Sequence, residues 1–236
     1  MSAFLKVGRG EYVLLSHCYN IAFLAITTEI FGLYRIATFY LVKTGPMTTT
    51  NRDNILQTAL SLFSTRGYDA VGVQTIAVTA NVTKPTLYHY FGCKKGILEA
   101  IILEYGNEFI EIIREAAFYS GDLSKTLTKL TLAYFKFAEN NPVFYRLQLA
   151  IYFAPPESEP NQLIRCSNEL QHQLLENLFQ HAAMHHGSMQ GRHLYFAATF
   201  LGTINTYIGL ALNGYLKLNE SIATRAVHQF MFGIYV

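Results

Sequence analysis

Gly72-Val-Gln-Thr-Ile-Ala-Val-Thr-Ala-Asn-Val-Thr-Lys-Pro-Thr-Leu-Tyr-His-Tyr-Phe91 decides the reading of this chain, because its apolar groups fall at the spacing of two short helices joined by a tight turn. Ile76, Ala77, Ala80, Val82, Leu87 and Phe91 face inward on that spacing, and Ala77 is small enough to let two helices cross closely. The first helix spans about Val73 to Ala80 and the second about Lys84 to Tyr90. Between them, Asn81 tolerates the left-handed backbone that such a turn often needs. Outward on the second helix stand Lys84, Thr86, Tyr88, His89 and Tyr90, groups that can hydrogen-bond base edges, touch a thymine methyl or donate to phosphate. A helical hairpin in an ordinary bundle shows the same inward pattern, so these residues alone leave both readings open.

The flanking sequence is helical on both sides. Thr50 caps a helix with Asp53 three residues on, Ile55, Leu56, Ala59, Leu60, Leu62 and Phe63 form its buried stripe, and Gly67 stops it. Phe63 and Tyr68 read as core. After Phe91-Gly92-Cys93 a long helix runs from about Lys94 to Tyr119, with Ile97, Leu98, Ile101, Ile102, Tyr105, Phe109 and Ile112 on its apolar face. Five more helices follow: Asp122 to Asn140, Pro142 to Pro155, about Glu159 to His186, Gln190 to Leu216 and Ser221 to Tyr235. No strand alternation or hairpin turn interrupts them, so the fold class is all-α: a three-helix head, a long connecting helix and a helical body.

Charge divides along the same line. Residues 47–96 carry 5 basic and 2 acidic groups, whereas residues 97–236 carry 9 and 12. A basic head on a mildly acidic body suits a nucleic-acid-binding module joined to a domain that does not touch nucleic acid. Cys18, Cys93 and Cys166 lie far apart, without the paired spacing of a zinc site or a disulfide framework, and fit a reducing cytoplasm.

The segment Asn-Val-Thr-Lys-Pro-Thr-Leu-Tyr-His-Tyr-Phe, followed by Cys-Lys-Lys-Gly-Ile-Leu, resembles the recognition-helix region of TetR-type repressors, as does the preceding Ala-Leu-Ser-Leu-Phe-Ser-Thr-Arg-Gly-Tyr-Asp-Ala-Val-Gly-Val-Gln-Thr-Ile-Ala. The similarity is close from Arg52 to Leu98 and extends further only as helix number and length. Asn81 replaces a glycine common at the turn, and Gly92-Cys93 replaces the usual pair before Lys94; both changes are local. The resemblance implies a ligand-responsive, dimeric transcriptional repressor, with double-stranded operator DNA as partner and a ligand cavity in each body. It places DNA contacts at Gln74, Thr75, Thr83, Lys84, Thr86, Tyr88, His89, Tyr90 and Lys94. Lys84 would meet a base edge, whereas Tyr90 and Lys94 would hold the DNA backbone, Lys94 also lying where a helix amino end favours phosphate. An architectural DNA binder without a small-molecule effector is the alternative.

Residues 97–236 hold most of the aromatics and suit an apolar cavity for a small hydrophobic effector, with Gln148, His172, Asn205 and Tyr207 as polar groups to orient it. His181, His185, His186 and His193 read as a solvated helix end rather than a metal site. Without a Gly-rich phosphate loop, nucleophile elbow, paired-carboxylate motif or metal signature, neither an enzyme nor a cofactor is expected.

Two long helices, residues 190–216 and 221–235, carry the expectation for assembly. Phe196, Phe200, Ile204 and Tyr207 serve the interior, while Ala198, Gly202 and Gly209 keep another side shallow enough for a partner helix. Ile222, Ala226, Met231 and Phe232 add to that homodimer contact.

Residues 1–46 are compositionally foreign to the rest. Tyr12 to Thr28 is free of Asp, Glu, Lys and Arg over 17 residues, at the short edge of a membrane span, and Glu29 would cost about 2.5 kcal/mol or more at mid-bilayer. The segment reads as an extension upstream of a natural start at Met47. A membrane-associated segment, which would make the protein a tethered sensor, and a docked extra helix are the alternatives.

Overall fold

A computed structural model describes residues 50–234, and the expectations for residues 1–46 and the start at Met47 lie outside them. Nine helices are formed among the described residues. Helix α1 spans Asn51–Arg66, α2 Val73–Thr79 and α3 Lys84–Phe91. Helix α4 comprises Lys94–Ile101, a π-helical turn Ile102–Gly106, and Asn107–Ala116. Next come α5 Leu123–Asn140, α6 Pro142–Tyr152, α7 Glu159–Ala183, α8 His193–Leu212 and α9 Glu220–Phe232. All elements expected from the periodicity are present, and most differ at their ends by a few residues.

Capping explains where the head helices start. The Thr50 side chain accepts from the Asp53 N–H, and Thr83 accepts from the Thr86 N–H, each covering an amide that the first turn leaves unpaired. Gly67 ends α1 at φ 82°. Asn81 is the sole non-glycine residue with positive φ among those described, at 52°, and makes the turn between α2 and α3. The Asn54 side chain, on α1, donates to the Ala80 carbonyl at 2.7 Å and fixes the end of α2. Ile55, Leu56, Ala59, Leu60, Leu62 and Phe63 are all buried, joined by Tyr68, Ile76, Ala77, Ala80 and Leu87. Val82 and Phe91 pack partly buried against that core.

The body is built around α5 and α7. Helix α7 packs on α8, α6 and both halves of α4, while α9 lies along α5. Aromatic side chains fill the centre: Phe109 stacks on Phe137 at 4.5 Å and meets the rings of Tyr134 and Tyr145 edge-on. Tyr134 and Tyr145 are fully buried, yet both hydroxyls are satisfied, by Gln171 and Asn205 respectively. Burial pushes both phenols above their ordinary pKa, so they remain neutral donors and acceptors.

Three sequence-based placements shift. Beyond the π-helical turn the buried residues of α4 are Phe109, Ile110, Ile113 and Ala116, and Ile112 is only half-buried, because the wider turn advances the register of the following face. On α8 the buried set is Ala197, Phe200, Leu201, Ile204 and Ile208, which leaves Phe196 and Tyr207 at the margin rather than inside. Ala226 is buried within the chain together with Ala223 and Val227, so it does not lie on an outer face.

Candidate nucleic-acid interface

Helix α3 exposes its polar side because its one fully inward residue, Leu87, anchors it in the head core. Tyr88 and Tyr90 are 46% and 42% exposed. Lys84 and His89 are also exposed, and the His89 ring leans edge-on against Tyr90 at 5.3 Å. Gln74 is exposed on α2, whereas Thr75 is half-buried. The Thr83 hydroxyl, besides capping α3, lies 2.8 Å from that of Thr86, so these two support the start of the helix. Lys84 and Arg66 pair with no carboxylate among the described residues and remain available to an anion.

Lys94 stands apart from the others. It is half-buried, its ammonium donates to the Tyr68 carbonyl at 2.9 Å and sits 4.0 Å from the centre of the Tyr68 ring. The Tyr68 hydroxyl in turn donates to the Glu159 carboxylate at the start of α7. Burial, then that carboxylate, raise the Tyr68 pKa far above its ordinary value and keep the proton in place. Lys94 therefore braces the loop between α1 and α2, which a reading of α4 alone does not reveal.

Two glycines set the angle between α3 and α4. Gly92 takes φ 70°, where a side chain would be strained, and a Cβ on Gly96 would lie 2.1 Å from the Phe91 carbonyl oxygen. Gly96 is thus a positioning residue for the exposed helix. Sequence reading missed it, although a glycine inside the first turn of a strong helical pattern is itself a signal of close backbone approach.

Residues 55–101 match the family model of bacterial regulatory proteins, tetR family, over the head and the first part of α4. Over these residues the chain is similar to the TetR family. That model describes bacterial regulatory proteins. The chain is 32% identical over 96 residues to the HTH-type transcriptional activator FasR of Mycolicibacterium smegmatis, covering 41% of this chain and 44% of that one. It is 35% identical over 74 residues to IcaR, the HTH-type negative transcriptional regulator of the biofilm operon icaADBC of Staphylococcus aureus strain Newman, covering 30% and 40%. The matched part is thus less than half the length of either relative. The structure of the transcriptional regulator FadR from Bacillus subtilis, in complex with stearoyl-CoA, superposes with a TM-score of 0.63 at 20% identity, over 77% of this chain and 98% of that one. This likeness establishes the TetR-like fold through the body as well as the head.

The four polar groups expected to orient a ligand are not brought together. Gln148 lines a small cavity of about 10 Å³ between α4, α6 and α7. His172 lies 3.2 Å from the Tyr152 hydroxyl, and Asn205 accepts from Tyr145 at 2.7 Å. Tyr207 reaches across to Gln229 of α9 at 3.4 Å, in a groove of about 770 Å³ on the outer side of α8. No group of three or more His, Cys, Asp or Glu able to hold a metal occurs among the described residues, and the His185 ring packs on Tyr119.

Proposed function

We propose that this chain is a TetR-family, cytoplasmic, dimeric, sequence-specific DNA-binding regulator that a small apolar effector releases from a palindromic operator. The observation that carries the DNA-binding part is the exposed set Lys84, Tyr88, His89 and Tyr90 on a helix whose inner side is locked by Leu87. Lys84 offers donors to the acceptor edge of guanine, and the tyrosines offer hydroxyls to phosphate and ring faces to thymine methyls. Gln74, Thr75, Thr83 and Thr86 support or extend this contact from α2 and the amino end of α3. Lys94 contributes by bracing the Tyr68 loop, with two remaining donors for a phosphate. The head, residues 47–96, is the DNA-binding unit, and residues 97–236 provide effector binding and assembly.

Helices α8 and α9 support the dimer. Helix α8 is long and apolar enough to cross a membrane, yet only 28% of its most apolar 18-residue stretch is buried. Tyr195, Leu210 and Phe232 are exposed, and a Cβ on Gly202 or Gly209 would meet nothing within 4 Å. Such a surface on a helical protein calls for a partner helix, and a second copy presents a matching one. A dimer places two α3 helices against two half-sites, hence the palindrome. The aromatic interior of the body supports an apolar effector, and the stearoyl-CoA bound by the structurally similar FadR makes acyl thioesters the first class to try. FasR is an activator and IcaR a negative regulator, so both signs of control occur among the relatives; the exposed operator-binding helix suits repression by occlusion.

Two substitutions test the division of roles. Lys84→Ala is expected to relax preference at one symmetric base pair by about 1–3 kcal/mol while leaving the stability of the head unchanged. Lys94→Ala is expected to weaken binding to all duplexes alike and to lower the melting temperature, since it releases the Tyr68 carbonyl and ring. Binding titrations against single-base operator variants distinguish them. A uniform loss in both variants contradicts a base-reading role for Lys84.

A further inference from the structure

Helix α1 of the head packs on α6, and beside that contact lies a groove of about 530 Å³, within the size range of small-molecule sites. Pro142, Val143, Ile208, Leu212 and Leu216 give it an apolar wall, while Ser61, Ser64 and Thr65 of α1 line it from the head. No residue of α4 or α7 lines it, so it is separate from the small cavity at Gln148. Nearer the start of α1, polar ties join head to body: the Gln57 side chain donates to the Tyr105 hydroxyl at 2.7 Å, and Arg52 pairs with Glu104 at 3.5 Å. Across the groove no such tie is formed among the described residues. The Ser64 and Thr65 hydroxyls donate instead to the Ser61 carbonyl of their own helix.

The charged groups of the lining are Arg146, Lys217 and Glu139, all exposed. None of the three pairs with an opposite charge among the described residues. The Arg146 guanidinium is held by neutral acceptors at the carboxyl end of α8, the Asn213 side chain at 3.1 Å and the Leu212 carbonyl. Its position is therefore fixed while its charge stays available, and its planar fork suits a carboxylate. The first turn of α6, Pro142 and Val143, belongs to the same wall and has no side-chain cap, so the positive end of that helix adds to the two cations.

We infer that this groove between head and body binds a compact apolar monocarboxylate, whose apolar part covers Val143 and Leu216 and whose carboxylate meets Arg146 and Lys217. Val143 is 41% exposed, and covering it with the neighbouring aliphatic wall supplies the apolar share of binding. Because Ser64 and Thr65 have given their protons to the helix, selection for the anion falls to the two cations, which outnumber Glu139. An occupant lies between α1 and α6 and holds the head against the body where polar ties are missing.

The test uses the full chain with 2-naphthoate and its neutral counterpart 2-naphthamide, titrated by calorimetry. Wild-type protein is expected to bind the acid at least fivefold more tightly than the amide. Lys217→Gln, which removes a charge that no carboxylate partners, is expected to weaken the acid about fivefold and leave the amide unchanged. Val143→Asp puts a like charge on the apolar wall and is expected to weaken the acid at least tenfold. The fold should persist, since this exposed first-turn position suits a carboxylate, and circular dichroism checks that it does. Bound 2-naphthoate is also expected to slow amide exchange in residues 61–66 and 142–146. Equal affinity for acid and amide, binding that both variants leave unchanged, or no binding at millimolar acid overturns the site. Protection confined to α4 and α7 places the ligand in the body interior and equally overturns it.

Discussion

Replacing Gly96 by alanine is expected to reduce operator affinity at least tenfold and to lower stability by about 1–3 kcal/mol, although alanine is the better helix former. The reason is local. The added methyl would lie 2.1 Å from the Phe91 carbonyl oxygen and 3.2 Å from its carbon, both backbone atoms that no side-chain rotation can clear. Either the end of α3 or the start of α4 must move, and the exposed residues of α3 move with it. Alanine's propensity advantage of about 1 kcal/mol is too small to offset this. Gly106, on the same long helix, is the matched control: its added methyl would meet Ser167 Oγ at 3.7 Å and Ile102 at 3.8 Å, ordinary contacts. Gly106→Ala is accordingly expected to hold or raise stability. Thermal unfolding of the two variants, with operator titration of Gly96→Ala, checks both; equal stability in the two contradicts the tight α3–α4 approach.

Gly202→Arg is the second large effect. Nothing lies within 4 Å of a Cβ at this exposed position, so an arginine has room in a single chain and the fold is expected to persist. Across a twofold axis the same residue would bring two bulky cations into the contact between α8 helices. The dimer dissociation constant is expected to rise at least a hundredfold, about 2.7 kcal/mol, and tight operator binding to vanish with it, because one chain reaches one half-site. Sedimentation velocity with circular dichroism separates loss of assembly from loss of fold. A dimer of unchanged affinity places the interface elsewhere.

Much of this architecture is legible without coordinates, for identifiable reasons. Thr50 marks a helix start because its hydroxyl caps an amide within three residues, and Asn81 marks the turn because few other side chains accept positive φ. Leu87 and Ile76 fall on the inner side by period alone. What stays hidden depends on partners distant in sequence. The role of Lys94 rests on Tyr68, 26 residues earlier. The tie between Gln57 and Tyr105 spans 48 residues. The π-helical turn leaves no mark in composition, since Ile-Leu-Glu-Tyr-Gly suits an α-helix equally well, and its extra residue displaces the apolar face expected beyond it. Gln148, His172, Asn205 and Tyr207 were selectable only as polar residues in an apolar body. Packing then separates them, with Gln148 at the cavity and Tyr207 in the outer groove.

The central claim is that α3 reads DNA sequence from a symmetric dimer, and selection of bound duplexes from a random pool at physiological salt tests it most directly. Wild-type protein is expected to enrich one palindrome with two equivalent half-sites, and Lys84→Ala to lose information at a single symmetric pair within it. Salt must be held fixed, because phosphate contacts alone can give tight but indiscriminate binding at low ionic strength. Enrichment of no motif, or of a motif without twofold symmetry, contradicts the account.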